Sequence, residues 1–161
     1  MWLRRWLLRA AYRGLVVYRK VMRPHTRGVK CLICRGDEVL LVRHTYGDRE
    51  RWELPGGGCK RREQPLDAAR REISEELGVV IDDWRYLGVL AQREHGPSGR
   101  AFCFAGRGEG LDLEIDGGEI AQARWFVRDE LLDPSRPAGG EVRAVLERSQ
   151  ATATGDEQTV R

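Results

Sequence analysis

The sequence predicts one α/β domain in which helices pack on a mixed β-sheet. Three observations carry this. Strand-like segments outnumber strong helical ones, the two kinds are interleaved without a repeating strand–helix unit, and 161 residues suffice for one buried core but not for two of ordinary size. No internal repeat interrupts the pattern.

The first element is a basic amphipathic segment. Over residues 2–22, Trp2, Leu3, Trp6, Leu7, Ala10, Gly14, Val17, Tyr18, Val21 and Met22 recur at helical spacing, while Arg4, Arg5, Arg9, Arg13, Arg19 and Lys20 fall mostly off that stripe. The arginines break any apolar run, which excludes a membrane-spanning helix of about 20 apolar residues. The absence of a small-residue cleavage site argues against an export signal. Two readings of the helix follow. Its apolar stripe packs on the domain or on a second copy of the chain as a homodimer, or it lies on an anionic membrane surface with Trp2 and Trp6 at the interface. The expected division is residues 1–27 as this leader, 28–148 as the domain and 149–161 as a polar, mobile tail.

After Pro24 ends the leader, Val29 to Arg35 and Glu38 to Arg43 read as a hairpin about the turn Gly36-Asp37. A polar loop leads to a short strand, Trp52 to Leu54, and then to Pro55-Gly56-Gly57-Gly58. Pro65 suits the first turn of a helix that Gly78 closes, with Leu66, Ala69, Ile73 and Leu77 as its buried face. Further strands are expected at Trp84 to Ala91, Arg100 to Ala105 and Ala123 to Val127, and helices at Asp129 to Leu132 and Glu141 to Arg148.

Charge and cysteine usage narrow the class. The net charge is +3, yet residues 1–30 hold nine basic and no acidic residues, so the remainder carries 19 basic against 25 acidic, or −6. A basic leader on an acidic body is not the footprint of a general nucleic-acid binder, whose cations would stripe the folded domain. Cys31 and Cys34 are spaced as CxxC, but strand positions three apart face opposite sides, and Cys59 and Cys103 are isolated. All four read as free buried thiols in a reducing, cytoplasmic setting. His44 and His95 read as surface loop residues.

The chemistry sits between Gly57 and Val79. Glu72, Glu75 and Glu76 stand at i, i+3 and i+4, so a helix brings their charges to one side. Such crowding repels unless a cation is present, and hard divalent ions such as magnesium take a few carboxylates together with substrate phosphates. The run Leu54-Pro55-Gly56-Gly57-Gly58, then Glu63, then Arg71-Glu72-Ile73-Ser74-Glu75-Glu76-Leu77-Gly78-Val79 resembles a complete Nudix box.

The resemblance implies an α/β/α sandwich and a magnesium-dependent hydrolase, with Mn2+ as a substitute ion, that cleaves a phosphoanhydride in a nucleoside diphosphate linked to another group. It implies metal ligands at Glu72, Glu75 and Glu76, with Glu119 as a further ligand. Glu72 is the chosen general base, and Arg71 orients the glutamates. Gly56, Gly57 and Gly58 form the loop that approaches metal or phosphate, with Glu63 as its anchor. Substrate-naming signatures are missing in the 15 to 18 positions past the box, around Glu94, His95, Gly96 and Pro97, so a nucleoside triphosphate or small nucleotide-sugar is the default. Tyr46, Trp52, Phe102, Phe104 and Trp125 could stack on a base or simply pack. The alternatives are a hydrolase of a membrane-linked diphosphate, which the leader would suit, and a non-catalytic nucleotide sensor.

Overall fold

The computed structural model describes residues 27–92, 99–115, 117–133, 138, 140–153 and 159–160. The amphipathic helix expected over residues 2–22, and His95, lie outside them. Nine elements follow in order: β1 (Arg27–Arg35), β2 (Glu38–His44), α1 (Pro65–Leu77), β3 (Trp84–Gln92), β4 (Gly99–Arg107), β5 (Ile120–Val127), α2 (Arg128–Leu132), α3 (Gly140–Ala153) and the two-residue β6 (Thr159–Val160). They build a six-stranded sheet in the order β5-β2-β1-β4-β3-β6. β1 and β4 run parallel and the other neighbours antiparallel, so the sheet is mixed as expected.

Period-two alternation along the central strands makes the sandwich. Val29, Cys31 and Ile33 of β1 and Leu40 and Val42 of β2 join Ala68, Ala69, Ile73 and Leu77 of α1 in one core. Leu32, Val39 and Leu41 point the other way and pack with Leu131 of α2 and Val142, Val145 and Leu146 of α3. Helices therefore cover both faces of the sheet. Cys31 belongs to the first core and Cys34 packs against the second, so the CxxC pair shares no side of the sheet. All four cysteines are free, but only Cys31 and Cys103 are fully buried, and Cys34 and Cys59 are half-buried.

The structure differs from the sequence reading at four local places. Trp52 to Leu54 forms isolated bridges, Val42 with Glu53 and Trp52 with Ala138, in place of a strand. The β1–β2 ladder is in register only at its turn end, Cys34 with Val39 and Arg35 with Glu38, and the chain from Glu53 onward fills the open end between the two strands. α3 continues through Ala153, taking Ser149 into buried contact where its hydroxyl donates to the Leu146 carbonyl at 2.8 Å, so this part of the expected tail is helical. In α1 the buried set is Ala68, Ala69, Ile73, Glu76 and Leu77, with Leu66 only partly buried.

No helix among the described residues is long and apolar enough to cross a membrane. Ile73 is fully buried between α1 and the sheet, so Ile73→Ala is expected to lower unfolding free energy by about 2 to 5 kcal/mol. The exposed neighbour Ser74→Ala should stay within about 0.5 kcal/mol, both read from urea denaturation.

Candidate active site

The glycine loop is held as a strand would be. Val29 N–H donates to the Gly57 carbonyl and Cys31 N–H to the Pro55 carbonyl, each at 2.9 Å, while Cys59 N–H donates to the Arg27 carbonyl at 2.9 Å. This ladder fixes the loop against β1. Gly56 has φ +138, and a Cβ there would collide with the Val29 carbonyl, so only glycine fits. At Gly57 a Cβ would lie 2.5 Å from the Glu72 carboxyl carbon. The missing side chain is what lets the carboxylate lie on the loop. Gly58 meets nothing within 4 Å, so steric need is confined to the first two glycines.

Arg71 ties loop to helix. Its Nε and Nη2 donate to the two oxygens of Glu63 at 2.8 and 2.9 Å, its Nη1 to Glu72 Oε1 at 2.8 Å and Glu75 Oε2 at 3.1 Å, and its Nη2 also to the Gly58 carbonyl at 3.0 Å. Glu63 Oε2 accepts in addition from Lys60 N–H at 2.7 Å. The Arg71 hydrogen bonds, helped by that backbone donor, hold the Glu63 carboxyl down to about 2, and Glu63 in turn raises Arg71 further. A bidentate pair of this kind gives direction as well as attraction. The i,i+4 contact between Arg71 and Glu75 is the one that helix spacing anticipates.

The three helix acids occupy different environments. Glu75 is 57% exposed at the rim, Glu72 is 13% exposed, and Glu76 is 4% exposed with Oε2 accepting from Gly56 N–H at 2.9 Å. Burial raises Glu72 despite Arg71, and burial pushes Glu76 up to about 8 against the pull of Gly56 N–H. Glu119 adds to both shifts, so its charge acts on the same cleft. Two contacts bring it there: Thr45 N–H donates to the Glu119 carbonyl at 2.9 Å and Thr45 Oγ1 to the Gly118 carbonyl at 2.6 Å.

The acids are brought together less tightly than their spacing predicts. Among the described residues no group of three His, Cys, Asp or Glu side chains converges closely enough to hold a metal ion. The reason lies in Arg71, whose guanidinium draws Glu72 and Glu75 toward itself, while Glu76 turns inward to Gly56. The donor chemistry still suits a hard divalent cation: two half- to fully-buried carboxylates with raised pKa values, a third charge from Glu119, and a loop with no side chain in the way.

Other expectations resolve as follows. His44 is no surface loop residue: β2 extends to it across a bulge, leaving its side chain 13% exposed with Nε2 3.9 Å from Glu53 Oε2, and burial lowers its pKa. Trp52 and Phe104 belong to the cores, and Phe102 and Trp125 pack against the α1 side. Tyr46 packs beside His44, ring centroids 5.1 Å apart, and burial, then the charges of Glu119 and Glu76, raise its pKa well above the ordinary value. Thr45 went unnoticed in the sequence. Its partners lie far along the chain, and no spacing rule links them.

Fold and site thus define an α/β/α sandwich whose acid-bearing helix faces a glycine loop wedged into the sheet. Residues 24–146 match the NUDIX domain, and the chain belongs to the Nudix family. It is 45% identical over 71 residues to diphosphoinositol polyphosphate phosphohydrolase 3-alpha of Homo sapiens, a stretch covering 44% of this chain and 42% of that one. It is 32% identical over 118 residues to an RNA pyrophosphohydrolase of Bartonella clarridgeiae, covering 60% and 68%. The match thus spans less than half of the first relative's length. The fold is similar to that of a MutT protein from Methanosarcina mazei Go1, with a TM-score of 0.69, 22% identity, and coverage of 81% of this chain and 96% of that one.

Glu76 couples this geometry to pH. With its folded pKa near 8 against an ordinary 4.5, the folded state holds a proton that the unfolded state has lost, so its contribution to stability fades as pH rises through that window. Between pH about 7.5 and 8.5, where His44 is largely neutral folded or unfolded, the Tm of metal-free protein should fall. Glu76→Gln should flatten that slope, as followed by circular dichroism melts.

Proposed function

We propose that this chain is a divalent-metal-dependent hydrolase that cleaves a phosphoanhydride bond in a nucleoside diphosphate linked to another group, with nucleoside triphosphates and small nucleotide-sugars as its first candidates. One observation carries the reading: Glu72 and Glu76 are carboxylates whose pKa values burial raises, within the field of Glu119 and against a loop cleared of side chains. Such a donor set is stabilised by a hard ion and the phosphates bound to it. The names of the relatives support the reading, one being a diphosphoinositol polyphosphate phosphohydrolase and the other an RNA pyrophosphohydrolase.

In this reading Glu72, Glu76 and Glu119, with Glu75 at the rim, hold Mg2+, with Mn2+ as a substitute. The ion, when bound, neutralises phosphate charge and lowers the pKa of a coordinated water. Glu72 Oε2, the oxygen that Arg71 leaves free, would accept the proton of the attacking water. Arg71 is a positioning residue: it fixes the angle of Glu72 and, through Glu63, the end of the glycine loop. Gly56 N–H holds Glu76 in its buried rotamer.

The test is phosphate release from a panel of nucleotides with magnesium or manganese. Glu72→Gln and Glu76→Gln should each lower kcat by about a hundredfold or more on whatever substrate the wild type turns over. Added magnesium should raise the Tm of the wild type at pH 8 more than that of Glu76→Gln. A Glu72→Gln protein with normal turnover would remove the assignment of the base, and a panel with no metal-dependent hydrolysis would remove the enzyme reading.

A further inference from the structure

The geometry points to a second anion site beside the glycine loop, where Arg27, Lys60, Arg61, Arg62 and Arg100 receive phosphate groups that a substrate carries beyond the diphosphate being cut. This rests on the hydrolase reading above and narrows the substrate class to a polyphosphorylated compound.

Lys60, Arg61 and Arg62 make the turn between the glycine loop and α1, and all three are exposed. The turn is not slack. Glu63 N–H donates to the Lys60 carbonyl at 3.1 Å, and Lys60 N–H donates at 2.7 Å to Glu63 Oε2, the oxygen that Arg71 Nη2 also holds. Arg62 takes a φ of +67, a left-handed conformation that residues other than glycine seldom adopt. Residues in such conformations cluster where structure serves a ligand. Here it displays three consecutive cations from a clamped turn.

Two more cations come from the sheet. Arg27 and Arg100 are register partners at the adjoining ends of β1 and β4, both exposed, and the Arg27 carbonyl accepts from Cys59 N–H at the start of the turn. Among the described residues none of the five lies within ion-pair distance of a carboxylate, although Arg27 stands over the Phe102 ring at 5.5 Å and the Lys60 charge is felt by Glu63. Four of the five belong to the part of the chain that carries −6 outside residues 1–30, so their gathering runs against its balance. Exposed like charges carried on one turn and the adjoining strand ends favour a bound anion.

Reach decides that one ligand can use both sites. Gly57, which lies against the Glu72 carboxylate, and Lys60 are three residues apart, so their separation is at most about 11 Å along the chain. That is comparable to the screening length of about 8 to 10 Å at moderate salt. A phosphate held by the glutamates' ion is therefore within the field of the patch.

The probe is inorganic tripolyphosphate, titrated calorimetrically into the full chain in EDTA so that no ion links phosphate to the glutamates. Wild type is expected to bind it about tenfold more tightly than K60Q/R61Q/R62Q, with the gap closing toward about 0.5 M salt. Arg62→Gly removes one charge and relaxes the left-handed backbone, so it should weaken binding without lowering Tm, which guards against a misfolded triple variant. Equal affinity of wild type and both variants would overturn the site. With magnesium present, the variants should raise KM more for a nucleoside triphosphate bearing an added 3′-diphosphate than for the plain triphosphate; an equal change for both would overturn the substrate class. Variants that lose binding to phosphatidylserine vesicles while keeping tripolyphosphate affinity would assign the patch to a lipid surface and also overturn it. Should no nucleotide be hydrolysed while the tripolyphosphate contrast persists, the hydrolase reading fails and the anion site stands.

Discussion

The hydrogen bond from Gly56 N–H to the buried carboxylate of Glu76 is the contact on which the rest of the arrangement depends. A carboxylate this deep is costly unless it is paired or protonated. The single backbone donor offsets only part of that cost, as the raised pKa records. To deliver the donor, the loop must lie flat against β1, which requires glycine at position 56 and a hairpin whose strands part to admit it. To deliver the acceptor, α1 must pack with Ile73 and Leu77 driven into the sheet, since Glu76 shares their side of the helix. Fold stability and site geometry are thereby the same problem.

Arg71 solves the complementary part. One guanidinium reaches Glu63, Glu72, Glu75 and the Gly58 carbonyl, so a displacement of the loop would be felt at the helix acids and the reverse. With four acceptors around it, its charge is largely spent within the protein. Among the described residues the five cations of the neighbouring turn and strand ends have no carboxylate at ion-pair distance, which sets them apart from Arg71. Glu63 links the turn to Arg71, since its carboxylate accepts both from Lys60 N–H and from the Arg71 guanidinium.

Much of this was legible in the chain. The helix from Pro65 to Gly78, the hairpin about Gly36-Asp37 and the opposite facing of Cys31 and Cys34 follow from turn chemistry and two periodicities, which are local properties. The clustering of Glu72, Glu75 and Glu76 on one side of α1 is likewise a matter of spacing, and the pairing of Arg71 with Glu75 is its direct result. His44 was misread because a strand end extended by a bulge carries no local mark, and burial there is settled by Glu53 and the neighbouring strands.

The sequence by itself determined the helix, the loop, the family and the identity of the acids, because each depends on residues close together along the chain. Only the tertiary structure decided how those acids differ: which is buried, which is ion-paired and which stands at the rim. The physical reason is desolvation, which depends on what covers a group from every side. Glu76 is buried by the loop and the sheet, and the charge of Glu119 is felt there from a far-off loop that Thr45 holds at Gly118. No spacing along the chain encodes that.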